Sequence, residues 1–363
     1  MNVSIKHAAG LAAIVSIFAA VTPSLAEAQA LEPGNLIVAN FQAFPGFGDS
    51  VGTVIQFDLS GRGLGNIKKI GSEIGDPDAE LFDGNVLPAI PWGPGGMAVG
   101  GPNRDLYVAS ILRGTITRFD QRTSAAAESL QIVPIPGPEA GLFGLRGMVW
   151  GPNGNLFVSV CAADGNSLDA VDAVFELDRL TLDRVREIRQ AGTPTTDCFG
   201  GIGFGPDDLL YVSGLFSGNV AAFDLSTAVA VDGDSTVVEV ETVRDIFMLE
   251  AGEAVVDTLA ALSFAPDGTL FVSVGQNGDP SVDARIAVVA PGASMPTRTI
   301  PAGQPTGIRW AVDGNLYVGD LAARAVLVID PETGDIVRRI ENGRKGLSAL
   351  DPRFVIFNPA PFQ

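Results

Sequence analysis

One pattern recurs five times along this chain, and it constrains the fold more than any other feature: a small residue, a short apolar strand, Pro-x-Gly or a variant, then Leu-aromatic-Val. The copies are Gly96–Val99 with Pro102 and Leu106-Tyr107-Val108; Gly147–Trp150 with Pro152-Asn153-Gly154 and Leu156-Phe157-Val158; and Gly201–Phe204 with Pro206-Asp207-Asp208 and Leu210-Tyr211-Val212. Two more are Ala261–Phe264 with Pro266-Asp267-Gly268 and Leu270-Phe271-Val272, and Gly307–Trp310 with Val312-Asp313-Gly314 and Leu316-Tyr317-Val318. Pro102, Pro152, Pro206, Pro266 and Val312 are spaced 50, 54, 60 and 46 residues apart. Self-similarity at such a period marks a repeat architecture. A third strand follows each copy, usually ending in Phe-Asp or a near variant: Thr115–Asp120, Ala173–Asp178, Asn219–Asp224, Arg285–Ala290 and Ala325–Asp330. A fourth, polar strand follows in most units, as at Arg184–Arg189, Thr236–Val243 and Ile336–Ile340. Four short strands joined by Pro/Gly/Asp turns describe a propeller blade.

A sixth unit is split between the two ends. Pro33-Gly34-Asn35-Leu36-Ile37-Val38 begins mid-repeat and runs on to Gly52–Asp58, while Arg353–Pro359 matches the first strand of the other units. The sequence therefore predicts an all-β, six-bladed β-propeller with four-stranded blades, closed by a C-terminal strand that becomes the innermost strand of the first blade. Closure of this kind supplies the seam with backbone hydrogen bonds it would otherwise lack.

Residues 1–30 read as a signal peptide. Lys6 supplies a positive start, Ala8–Val21 an apolar core, and Ala26, Ala28 and Ala30 small residues for cleavage. The run is shorter than the roughly 20 residues a membrane span needs. The expectation is a periplasmic or secreted protein whose residues 31–363 form one propeller domain, with no membrane contact after cleavage. With 42 acidic against 23 basic residues, the formal charge of −19 repels phosphate backbones, so nucleic acid is not an expected partner. The surface suits solubility or cation binding, and the chain is expected to be monomeric.

The only histidine is His7, inside the signal segment. The remainder of the chain thus has no Ser-His-Asp triad, histidine base or histidine-ligated metal. Cys161 and Cys198 are the only cysteines, and in an exported chain they are expected to pair as one disulfide.

The wording of the units, with Asp313-Gly314-Asn315-Leu316-Tyr317-Val318 as the typical case, resembles the NHL-repeat and senescence-marker-protein/gluconolactonase-like six-bladed propellers over nearly all of residues 31–363. Such propellers host enzymes, binders and scaffolds alike. In this topology the starts of the innermost strands and the ends of the second strands share the face where the channel opens. The strand starts lie near Gly95, Arg146, Gly200, Asp257, Gln304 and Asp351; the strand ends lie near Asn40, Ser110, Cys161, Gly214, Gln276 and Asp320. The candidate ligand-binding residues at that mouth are Asn40, Arg146, Asp257, Gln276, Arg309, Asp320 and Asp351.

Gluconolactonase-like relatives carry a metal there, held by Glu, Asn and Asp. The resemblance thus implies a site for one divalent cation, Ca²⁺, at Asn40, Asp257 and Asp320, oxygen donors that suit a hard cation. The Glu-Gly-Pro-x-Trp opening motif of that family has no match here; alternatively, the aspartates cap turns on an acidic rim. Arg309 stands where Val149, Gly203 and Ser263 stand in other units, so it is expected either to pair with Asp320 or to anchor a carboxylate or phosphate oxygen in the channel, assisted by Arg146. Acidic turns at Asp164–Asp172 and Asp232–Asp234 lack the spacing of calcium loops. The apolar segments Phe41–Ser50 and Leu81–Trp92 form a lid over the mouth or pack on its rim.

Two functions follow as expectations. The first is a propeller that binds a small molecule or a protein at its channel mouth, without catalytic machinery. The alternative is a Ca²⁺-dependent lactonase or hydrolase of the gluconolactonase type, in which the cation polarises the scissile carbonyl. A streptogramin-lyase-like enzyme would need a histidine that the mature chain lacks.

Overall fold

The computed structural model describes residues 34–40, 53–57, 63–69, 94–110, 114–122, 126–132, 143–162, 172–215, 217–248, 259–275, 284–341 and 352–357. The signal segment and the two candidate lid segments lie outside them. Six sheets, antiparallel but for one outer pairing in the third, stand around a central axis. Blade I combines Pro352–Phe357 with Leu36–Asn40, Thr53–Phe57 and Gly63–Lys69. Blade II runs Pro94–Gly100, Asp105–Ser110, Thr115–Phe119, Ala126–Gln131. Blade III begins Phe143–Trp150, Leu156–Ala162, Ala173–Leu177, Arg184–Gln190. Blade IV is Phe199–Phe204, Leu210–Gly214, Asn219–Phe223, Thr242–Phe247. Blade V is Leu259–Phe264, Leu270–Val274, Arg285–Val289, Arg298–Pro301, and blade VI is Pro305–Trp310, Leu316–Asp320, Ala325–Ile329, Ile336–Ile340. The C-terminal strand pairs with Leu36–Asn40 in the register Leu36 to Phe357, and it packs between the innermost strands of blades VI and II. The ring closes as the split repeat predicts.

The outer edge of blade III departs from the expected four strands. Val229–Val231 and Asp234–Val240 form a hairpin that joins it, with Glu187–Gln190 pairing in parallel with Val237–Val240. The expected fourth strand of blade IV, Thr236–Val243, is therefore mostly a strap on its neighbour; the true fourth strand is Thr242–Phe247. The turn explains the hairpin. Asp232 and Gly233 both have positive φ (50° and 81°), the pair a two-residue type I′ turn requires.

Each repeat element has a mechanical reason. In the Pro-x-Gly turns of blades III and V and the Val-Asp-Gly turn of blade VI, Gly154, Gly268 and Gly314 take positive φ and their amides close back onto the carbonyl three residues earlier. Asp208 adopts the same conformation where blade IV lacks the glycine. The small residue opening each innermost strand is needed because adjacent strands crowd at the axis. A Cβ on Gly96 would lie 2.4 Å from the Arg146 carbonyl, and one on Gly147 would lie 2.7 Å from that of Gly200.

Among the described residues the core is not central: six apolar clusters each sit at one seam between blades, and a small seventh gathers Cys161, Cys198 and Leu215. The aromatic of Leu-aromatic-Val crosses the seam to the last aromatic of the next innermost strand. Tyr107–Trp150, Phe157–Phe204, Tyr211–Phe264, Phe271–Trp310 and Tyr317–Phe357 lie with ring centroids 5.3, 5.1, 4.8, 5.6 and 4.8 Å apart. Aromatic pairs of this kind add about 0.5–1.5 kcal/mol beyond their buried area. The seam between blades I and II has Ile37 and Val99 at those places instead, and the Trp150 indole occupies the space over the neighbouring Gly100.

Candidate functional site

The pairing registers place the predicted mouth residues at one end of the ring. Asn40 lies opposite Pro352, Ser110 opposite Pro94, Cys161 opposite Gly144, Gly214 opposite Phe199, and Asp320 opposite Pro305. Asp257, Gln276 and Asp351 fall outside the described residues. Of Asn40 the backbone alone is described, at a register shift beside Ala39. Arg146 is half-buried, in the bulge between Leu145 and Met148 of the blade III innermost strand.

Cys161 and Cys198 form the expected disulfide, bridging blades III and IV at this mouth. Cys198 has φ of 44°, a left-handed conformation that a non-glycine residue seldom adopts unsupported. Here the bridge holds it, and its amide donates to Asp172 Oδ2 at 2.7 Å. The loop leading to it is equally tied. Gln190 accepts from the Thr195 and Thr196 amides, and Asn219 donates to Thr196 Oγ1 and Asp245 Oδ1, both at 3.0 Å. One side of the mouth is thus rigid.

Asp320 is wholly buried. Its Oδ2 accepts from the Gly303 and Gln304 amides at 2.8 and 3.2 Å, and its Oδ1 accepts from Ala323 at 2.8 Å. The carboxylate pins the strand-linking loop and the following turn to each other. This is the turn-capping role, and both oxygens are committed to it. Among the described residues no group of three or more His, Cys, Asp or Glu gathers closely enough to hold a metal ion.

Arg309 is not at the mouth, and the expected ion pair with Asp320 does not form. The innermost strand of blade VI starts at the mouth with Pro305 opposite Asp320, whereas Arg309 lies opposite Tyr317. Three residues of the second strand separate Tyr317 from Asp320, about 10 Å at ~3.3 Å per residue. Arg309 instead lines a cavity of about 180 Å³ in the farther half of the channel, with Met97, Ala98, Val99, Met148, Val149, Trp150, Ile356 and Phe357.

The equivalences read from sequence are confirmed by register. Ala98, Val149, Gly203, Ser263, Arg309 and Ile356 each pair with the second residue of a Leu-x-Val motif, so they form one layer around the channel. Arg309 is the only charged member of that layer. Its side chain is exposed to the open space of the channel. Crowding by the surrounding strands lowers its pKa through partial loss of hydration. A guanidinium nevertheless keeps its proton in proteins.

A device the repeat pattern contained was missed: the serine after Leu-aromatic-Val. Ser159 accepts from the Gly147 amide at 2.6 Å and donates to the Gly200 carbonyl of the next blade. Ser273 accepts from Ala261 at 2.9 Å and donates to Thr306 O at 2.6 Å. Each serine satisfies the bulged innermost strand of its own blade and ties it to its neighbour. The recurrence of Val-Ser at 159, 213 and 273 was the available signal.

No family model matches the chain, and no curated protein matches it. Solved structures do. A protein of unknown function from Bacteroides caccae is 10% identical, covers 89% of this chain and 98% of its own, and superposes with a TM-score of 0.55. A chain of the nidogen/laminin complex is 14% identical, with coverages of 90% and 99% and a TM-score of 0.51. At such identities the likeness is one of fold. A structure named as a gluconolactonase is 14% identical over 82% of this chain and 89% of its own, but its TM-score of 0.47 is too low to carry an argument.

Proposed function

We propose that this chain is an exported propeller that binds a small molecule inside its channel and is not built around a catalytic centre. The observation that carries the reading is Arg309, a cation with no hydrogen bond or ion pair among the described residues, facing a cavity whose other described lining residues carry apolar side chains. A concave pocket with one charged anchor among apolar side chains is the ordinary form of a ligand site. Asp320 supports binding over metal-dependent hydrolysis, because a carboxylate that holds three backbone amides offers little to a cation. Export is supported by the disulfide, which persists in oxidising compartments.

The test is native mass spectrometry of the mature protein against a small-molecule library, with Ala98→Phe filling the cavity as the control. One-to-one adducts in the wild type that the filled variant loses are expected; identical adduct spectra would overturn channel binding. A lactone and ester panel run with added Ca²⁺ tests the alternative, and turnover abolished in Asp257→Ala would overturn the non-catalytic reading.

A further inference from the structure

We infer that the channel ligand is a small monocarboxylate with an apolar body, its carboxylate held by Arg309 and its body by the Met97, Met148, Val149, Trp150 and Phe357 walls. This rests on the binding reading above and names its chemistry.

Three observations narrow the class. First, the anchor is a guanidinium, whose planar fork matches a carboxylate with two parallel hydrogen bonds. Second, the other described lining residues all carry apolar side chains. Among the described lining residues no second charged side chain meets the several oxygens of a phosphate or sulfate, whereas both carboxylate oxygens are satisfied by one guanidinium. An oxygen-rich sugar acid would likewise leave hydroxyls against methyl and aromatic groups, at the cost of unpaired polar atoms. Third, the chain carries a formal charge of −19, which opposes entry of a multiply charged anion more strongly than that of a single one. The cavity of about 180 Å³ bounds the size. At ~30 Å³ per water, it takes about six water-sized groups, which suits a single ring or a short chain.

The tryptophan at the wall supplies the readout. Trp150 lines the cavity, so an occupant that touches it changes its fluorescence. The experiment titrates the mature protein with benzoate and with its uncharged analogue benzamide, by tryptophan fluorescence and calorimetry, in wild type and Arg309→Met. Arg309→Met replaces a solvent-exposed side chain with another unbranched one, so it is expected to fold, as its melting curve will verify. Benzoate is expected to bind the wild type, to bind Arg309→Met at least tenfold more weakly, and to be displaced little by chloride or phosphate. Benzamide is expected to bind both forms alike and more weakly. Equal binding of benzoate and benzamide to both proteins would overturn the carboxylate assignment while leaving channel binding intact. Displacement of benzoate by equimolar phosphate would overturn the apolar-body assignment. Binding of neither probe, with library adducts still lost on filling Ala98, would overturn the ligand class alone; loss of both would overturn the binding reading with it.

Discussion

The hydroxyl of Ser273 in blade V donates to the carbonyl of Thr306 in blade VI at 2.6 Å, while accepting from the Ala261 amide of its own blade at 2.9 Å. Both partners are backbone groups of buried residues. Ser273→Ala is expected to cost about 1–3 kcal/mol for each group left unsatisfied. Urea denaturation measures this, and an unchanged midpoint would show that the seam does not depend on the hydroxyl.

Asp320 organises two loops through three amides. Asp320→Ala leaves those donors buried and unpaired, and stability is expected to fall by about 3 kcal/mol or more. Mass-spectrometric metal content of the same preparations separates this role from ligation. A divalent ion stoichiometric in the wild type and absent from the variant would make the aspartate a ligand after all.

The disulfide closes a segment of 37 residues between neighbouring blades. Replacing both cysteines by alanine is expected to cost about 3–4 kcal/mol through the added freedom of the unfolded chain. Parallel melts with and without reductant check the figure. Indifference of the wild type to full reduction would place the stabilisation elsewhere.

Tyr317 donates to Asp313 Oδ2 at 3.0 Å and accepts from Arg338 at 2.9 Å, and burial together with the adjacent carboxylate pushes its pKa from 10.0 up to about 12. Tyr211 is raised for the same reasons, beside Asp207. Between about pH 10 and pH 12 the unfolded tyrosines release protons that the folded ones keep, so stability is full below pH 10 and lost as pH rises through that window. Denaturation midpoints from pH 8 to 11.5 are expected to fall less steeply in Tyr211→Phe/Tyr317→Phe. Parallel curves for the two proteins would assign the alkaline loss to other groups.

The C-terminal strand supplies the innermost strand of blade I. Deleting residues 348–363 removes its ladder with Leu36–Asn40 and its packing on blades VI and II. Loss of the whole transition is expected, as one cooperative event read by circular dichroism, rather than a small shift in melting temperature.

Strands, turns and ring closure were legible in the sequence because each is fixed locally: alternation sets the face, and Pro-x-Gly sets the turn. The third strands at Thr115, Ala173, Asn219, Arg285 and Ala325 begin where the repeat places them. The strap at Asp234–Val240 was not legible, since an alternating polar strand reads the same whether it completes its own blade or lies parallel on the next. The level of Arg309 in the channel was likewise hidden. Residue type marked it as unusual, but its partner depends on counting register across the bulge between Pro305 and Ile308. The order of residues at the mouth was readable, and the commitment of Asp320 to backbone amides was not, because main-chain donors leave no trace in a side-chain pattern.

The six seams are unequal, and that inequality gives the ring a direction of failure. Between blades III and IV a covalent bridge, a serine tie and an overlapping hairpin act at three different radii. Between blades I and II there is neither a bridge nor an aromatic pair among the described residues, and blade I itself is assembled from the two ends of the chain. Under tension or heat such a ring behaves less like a wheel than like a bracelet, welded at one link and clasped near the opposite one. Fraying begins at the clasp, so a cavity bordered by Met97 and Ile356 on either side of it would be emptied long before the far side of the ring lets go.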